Sequence, residues 1–463
     1  MSFKKNKIFF YAFLLNWALL LGSINTTPSE IFYFGQGLDK SINALRILFP
    51  LISSFILMMI FIINLKNNFL DLIEKKNLIN FLFIFYFILQ LLGLFTTPDR
   101  SFTLNNIYLV IFGINSLIAL ILINNFYQKK NYYKLNYFLT CISLLFIFAI
   151  IIVVTIAMYK KVGIAGFVLL YNFIDPNDTL FNQVLPRVTG YARMLAVLNV
   201  AIIAYVINKK LFKNKLYIIL IFLLSTLIFF VQSRGAVLCF YSLIIIITIF
   251  QIKSFLDKLK LIIITILLPV CLHLIISNDR DLHIELKEKI LIEKKIKINN
   301  DMLKNIMETR SFRIVNNRTS SGRIQLWKTI IEKYEKNKIF GYGPQADRYL
   351  LLNKLSGLGY GNNASSAFFY SFSSAGYFGF VIIILINIFS CILLYNKIFV
   401  EKIFNGKGKF LEILSLYFIV FFLIRSLFEN SISYFGIDFL LFIAAINALN
   451  WKNIYFNLFL KFK

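Results

Sequence analysis

The stretch that decides the fold is KLNYFLTCISLLFIFAIIIVVTIAMYKK, residues 134–161. Between its flanking lysines, residues 138–157 carry no charge, and Thr140, Ser143 and Thr155 are the only polar side chains. A helix needs about 20 apolar residues to cross the hydrocarbon core of a bilayer. Blocks of the same kind recur along the chain, at about 8–24, 44–65, 78–96, 106–126, 191–208, 216–232, 236–252, 261–277, 376–396, 411–427 and 434–450. The 463 residues are 59% hydrophobic and 15% charged, with a mean hydropathy of +0.75; soluble domains carry roughly 25% charge. The expected fold class is therefore an all-α polytopic membrane protein with about 12 transmembrane helices.

Charge placement orients these spans. Alternate connections hold KNNFLDLIEKK, QKKNYYKLN, KKLFKNK, KSFLDKLK and KIFVEKIFNGKGK, all rich in lysine. Short connections on the other side, such as INTTPSEIFYFGQG and TTPDRSFTLNN, are nearly free of it. This is the positive-inside pattern, and it predicts that both termini are cytoplasmic. The start, MSFKKNKIFFYAFLLNWALLLG, has the charge order of a signal peptide but no convincing small-residue cleavage site, so an uncleaved first helix is expected. Three parts follow: 1–277 with helices 1–9, short loops and an outside segment at 158–190; 278–375 as one large outside loop with amphipathic helices; and 376–463 with helices 10–12 and a cytoplasmic tail.

Composition excludes several function classes. The formal net charge of +27 is in large part an orientation signal, so no nucleic-acid partner is expected. Cys141, Cys239, Cys271 and Cys391 all fall inside apolar blocks, where cysteine acts as a small hydrophobe. With His273 and His283 the only histidines, no His-based metal centre is expected, and no cofactor. A transporter would show repeated halves and mid-membrane charges; the sequence has no internal repeat.

The outside segments hold the informative cations. Residues 282–312 mix apolar residues at three- and four-residue spacing with Lys and Glu, which predicts an amphipathic helix on the membrane or covering the bundle. Then comes RTSSGRIQLW, residues 318–327. Ser320 or Ser321 can cap a helix starting near Gly322, bringing backbone N–H groups and Arg318 and Arg323 to one point, a geometry that binds phosphate. A capped surface helix whose arginines pair with nearby acids is the competing reading. In FGYGPQADRY, Gly341, Gly343 and Pro344 predict a tight turn, and two glycines there suggest close backbone approach. Gly376 and Gly379 are expected to allow close helix packing. Arg187, Arg193, Arg234 and Arg425 lie at the outer ends of spans, where an ionisable group costs about 3 kcal/mol and is functional by default. Glu429 lies four residues beyond Arg425, placing it as that arginine's partner or as a proton acceptor.

In order, PRVTGYARMLAVLN, SRGA, RTSSGRIQLW, GYGP, a small-residue segment running into G-x-x-G, and RSLFE resemble the O-antigen ligase and polymerase superfamily over about residues 180–430. The fold then resembles the glycan transferases of the GT-C type. The resemblance implies work at the periplasmic face of the inner membrane, moving glycan from undecaprenyl diphosphate without metal or cofactor. It implies catalytic roles for Arg318, Arg323 and Glu429, and diphosphate binding by Arg187, Arg193, Arg234 and Arg425. Gly322, Gly341, Gly343 and Ser365 would shape the loops. Membrane lipid and a chain-length regulator protein are the implied partners. Ligases of this family show a His-Asn pair about eleven residues before the first glycine of G-x-x-G; here Ser365 and Ser366 stand there. Serine is no base at neutral pH unaided, so the resemblance favours the polymerase branch over the ligase, with Glu429 or Asp347 as the candidate base.

Overall fold

The protein is described from a computed structural model, which covers residues 3–23, 45, 47–57, 59, 78–97, 100–126, 129–170, 188–231, 233–278, 323–334, 339–351, 364–405 and 408–449. Among these residues there are helices and turns and no strand. We number the helices α1 (Phe3–Ser23), α2 (Ile47–Leu57), α3 (Leu78–Leu92), α4 (Arg100–Asn105), α5 (Ile107–Phe126), α6 (Lys129–Leu170), α7 (Val188–Lys209), α8 (Lys215–Phe230), α9 (Arg234–Phe250), α10 (Phe255–Ile262), α11 (Leu268–Asn278), α12 (Arg323–Lys333), α13 (Ala346–Leu351), α14 (Ala367–Tyr395), α15 (Phe410–Ser426) and α16 (Ile437–Leu449). Five helical segments are long and apolar enough to cross a membrane: Leu78–Phe95, Lys134–Ile156, Gly190–Lys209, Phe255–Ile275 and Ala367–Val400. Each remaining expected span falls on a shorter helix. The chain is thus an all-α polytopic membrane protein. The amphipathic helix expected at 282–312 lies outside the described residues.

The chain divides into two compact units: residues 1–144 with 320–463, and residues 145–319. In the first, α3 packs along α14 and α5, and α15 along α16. Phe83 and Phe87 of α3 both meet Phe439 of α16 edge-on, with centroids 5.3 Å apart. In apolar surroundings a polar side chain needs a partner on a neighbouring helix, and the sequence supplies them in pairs. Asn80 donates to Asn447 at 2.9 Å and accepts from it at 3.3 Å. Trp17 donates to Ser143 at 3.0 Å, and Ser54 to Asn16 at 3.2 Å. Such bonds contribute about 0.6 kcal/mol each in membranes, so their value lies chiefly in fixing register.

In the second unit, Asn199 of α7 donates to Ser225 of α8 at 2.8 Å, and His273 of α11 packs edge-on to Phe229 at 5.0 Å. A π-helical turn, Ile263–Leu267, joins α10 to α11. Ile219 and Leu223 on α8 and Ile245 and Ile249 on α9 stay exposed, as expected of side chains that face lipid.

One expected boundary shifts. The tenth span was expected to start near residue 376, yet α14 already begins at Ala367. Its first turns are rich in serine, but Ser371 and Ser373 bond to carbonyls three residues back, at 2.7 and 2.9 Å. Their hydroxyls are thereby satisfied without leaving the helix.

Candidate functional site

The candidate site is built in the first unit around a break in α14. At Gly376 the backbone adopts φ 70° and ψ −162°, a region essentially reserved for glycine. In an unbroken helix the carbonyls of Ser373 and Ser374 would accept from residues four ahead. Here they accept instead from the turn that follows α12: Tyr342 N–H donates to Ser373 at 2.9 Å and Gly343 N–H to Ser374 at 3.0 Å. The turn lies so close that a side chain on Gly376 would reach 2.1 Å from the Ile339 carbonyl. Gly341 and Gly343 both have positive φ, 77° and 88°. A side chain on Gly341 would strike the Ser374 and Ala375 backbone at 2.5 Å, and one on Gly93, just past α3, would meet Gly343 N at 2.2 Å. The close approach expected of this turn is present. The packing role expected of Gly376 is instead a break, while Gly379 does face a neighbour, Tyr86 of α3.

Threonine and tyrosine side chains complete the docking. Thr96 donates to the Gly341 carbonyl. Gln345 N–H donates to the Tyr370 hydroxyl at 3.2 Å, and the Gln345 carboxamide to the Tyr434 hydroxyl at 3.1 Å. Tyr86 donates to the Ser433 carbonyl at 3.1 Å. Beneath α12, Leu326, Ile330 and Tyr334 are buried with Tyr342, Leu350, Tyr370 and Phe372. Trp327 stacks on Phe369 with centroids 4.8 Å apart, and its N–H donates to the Ala364 carbonyl at 2.8 Å. Residues 323–334 and 339–351 are therefore seated firmly on the ends of α3 and α14 and on the turn between α15 and α16.

That seat sets the first residue of α12 against the α15–α16 turn. Arg323 donates through Nη2 to Glu429 Oε1 at 3.5 Å, with side chains 23% and 16% exposed, and its guanidinium lies 6.0 Å over the Phe428 ring. The acid that balances this arginine thus comes from 106 positions away. Arg425 does not pair with Glu429, four residues on. Its Nε donates to Asp438 Oδ2 at 3.3 Å in an ion pair only 4% and 2% exposed. This buried pair ties the C-terminal end of α15 to the start of α16 and holds the turn that carries Glu429. Deep burial opposite an acid suits Arg425 to that structural task better than to the diphosphate binding expected of it.

The other expected residues distribute as follows. Arg318, Gly322 and Arg187 lie outside the described residues, as do Ser320 and Ser321. Arg193 in α7 and Arg234, first residue of α9, are partly buried within the second unit. Ser365 has φ 48°, a left-handed conformation uncommon for serine. Asp347 is 1% exposed, too enclosed to take a proton from a substrate. Burial, the largest influence, pushes its carboxyl above the usual range, against the pull of Arg348 and of the Ala364 N–H. Among the described residues no group of three or more His, Cys, Asp or Glu gathers as metal ligands.

Comparison with known families supports the class. Residues 219–384 match the family model described as O-antigen ligase. The match covers about a third of the chain and agrees with the motif resemblance to the O-antigen ligase and polymerase superfamily. The match takes in Arg234, Arg323, the Gly341 turn, Ser365 and the break at Gly376, and stops short of Arg425 and Glu429. It is narrower than the 180–430 of the motif resemblance. No curated protein matches the chain. Glycan transfer of the O-antigen ligase or polymerase type is the activity class that the superfamily carries.

Two residues of the site escaped the sequence reading. Asp438 is an acid in an apolar run, a signal that was legible because charge at membrane depth demands a partner. Asn430 gave no signal of its own.

Proposed function

We propose that the protein is an O-antigen polymerase, joining oligosaccharide repeat units carried on undecaprenyl diphosphate at the periplasmic face of the inner membrane. The observation that carries this reading is the partly exposed Arg323–Glu429 pair, held on a rigid seat inside the superfamily's fold. At 3.5 Å the contact is long and engages one of five guanidinium donors. A diphosphate brings two or more negative charges and accepts in the paired geometry that arginine offers. It draws Arg323 toward itself, stabilises charge on the leaving group, and frees Glu429 to accept the proton of the attacking sugar hydroxyl. Diphosphate binding by Arg318, five residues before Arg323, and by Arg187, Arg193 and Arg234 stays part of this proposal. Membrane lipid surrounds the bundle, and a chain-length regulator would act alongside it.

Ser365 and Ser366 standing where ligases have His-Asn favours the polymerase over the alternative, an O-antigen ligase that transfers glycan to lipid A–core. Deletion in the native host separates the two. Loss of a polymerase leaves core bearing a single repeat on a surface-glycan gel; loss of a ligase leaves bare core while undecaprenyl-linked polymer accumulates. Unchanged glycan in the deletion strain would reject both.

A further inference from the structure

Asp347 is a carboxylate that neither the packing of the seat nor the proposed chemistry uses. It is 1% exposed, and its Oδ1 has no hydrogen-bond partner. Enclosing a carboxyl this way costs free energy unless its bonds accomplish something an apolar residue would not. Its bonds to other segments pass through one oxygen. Oδ2 accepts from Ala364 N–H at 2.8 Å and from the Asn430 carboxamide at 3.4 Å. Asn430 in turn accepts from Ser366 N–H at 3.0 Å through its own oxygen. Asp347 and Asn430 thus grip the backbone on both sides of Ser365, the residue held at φ 48°. Asn430 also directly follows Glu429, the partner of Arg323.

We propose that Asp347 is a positioning residue: through Asn430 it fixes the 364–366 backbone and the turn carrying Glu429, and so sets Glu429 opposite Arg323. Three segments distant in sequence, at 347, 364–366 and 429–430, meet in this clamp. Removing it leaves the aromatic packing of α12 intact, because Leu326, Ile330 and Tyr334 lie against Tyr342, Tyr370 and Phe372. What it loses is the register of the turn against α12. This inference rests on the proposed role of the Arg323–Glu429 pair.

Removal and isosteric replacement test it. Asp347→Ala removes the shared acceptor, and Asn430→Ala removes its donor together with the acceptor of Ser366 N–H. Asp347→Asn can keep an oxygen where Oδ2 stands, accepting from both Ala364 N–H and the Asn430 carboxamide, and is the conservative rescue. Two readouts are taken: amide exchange at Ala364 and Ser366 in detergent-purified protein, and the surface-glycan ladder of a complemented deletion strain. Each alanine variant should lose amide protection and at least about tenfold of polymer, the scale of coupling between directly bonded residues. Asp347→Asn should keep both to within about threefold. Alanine variants with wild-type protection, or an Asp347→Asn no better than Asp347→Ala, overturn the proposal. So do single variants that lose protection yet make a normal ladder, since the clamp would then exist without governing the site. Arg323→Ala and Glu429→Gln run in parallel: a normal ladder from both removes the underlying reading and this inference with it.

Discussion

Replacing Gly376 by alanine tests the seat directly. The new Cβ would stand 2.1 Å from the Ile339 carbonyl oxygen and 2.8 Å from Phe340 N, both backbone atoms that no rotamer change can move. The backbone at φ 70°, ψ −162° would itself cost a non-glycine residue about 1–3 kcal/mol. If Gly376 relaxes to helical geometry, Ser373 and Ser374 regain intrahelical partners, and the turn loses its bonds from Tyr342 and Gly343, worth about 1 kcal/mol each. Either route costs about 1–3 kcal/mol, enough to raise the undocked population by about one to two powers of ten. The bundle should survive, because Phe83, Phe87 and Phe439 pack elsewhere. Hydrogen exchange in detergent reads the effect: the Tyr342 and Gly343 amides should lose protection while α3 and α16 keep theirs, and the glycan ladder should collapse. Gly22→Ala, with nothing within 4 Å of the added atom, is the matched control and should leave both unchanged. Wild-type protection at Tyr342 and Gly343 in Gly376→Ala would refute the reasoning.

Arg323→Ala should abolish the polymer ladder and Arg323→Lys restore it only in part, because lysine keeps the charge without the paired donors; equal ladders from the two would discard the diphosphate role. Arg318→Ala should match Arg323→Ala on the same gel, and a normal ladder would free Arg318 of any part in transfer. Arg425→Ala leaves Asp438 buried without its cation and should cost about 3–5 kcal/mol, seen as a lower melting temperature, whereas Arg425→Met with Asp438→Leu should recover most of it. Asp347 binds its proton more readily in the fold than in the unfolded chain, so its contribution to stability is full below about pH 3.9 and is lost as pH rises through the raised value. Asp347→Asn should therefore flatten the fall of melting temperature across the acidic range, and an unaltered slope would contradict the assigned direction.

Much of this was legible in the sequence, for identifiable reasons. Spans are written locally, since twenty apolar residues between lysines leave few alternatives; α5 and α7 lie where the blocks placed them, while α6 overruns its block at both ends, to Lys129 and Leu170, into the segment expected outside. The Gly341–Pro344 turn was legible because glycine in so glycine-poor a chain has steric meaning. The ion pairs were not. Spacing along one helix offered Arg425 to Glu429, but the helix ends at Ser426, and Asp438, across the turn, captures the guanidinium. Arg323 showed no acid within its own stretch, and its counter-charge lies 106 residues on. The break at Gly376 was missed because close packing and a helix kink ask the same thing of glycine, an absent side chain, and only the backbone angles tell them apart.

The seat of the 339–345 turn has a wider consequence. Its attachment to α14 and α3 is made largely of amides, carbonyls and the hollows left by hydrogen-only residues, with a few hydroxyls, those of Thr96 and Tyr370, added to them. A scaffold joined in this way tolerates replacement of many surrounding aliphatic residues, provided the hollows stay empty and the few bonded hydroxyls remain. Relatives could therefore drift until pairwise comparison finds nothing, while the shape of the platform persists.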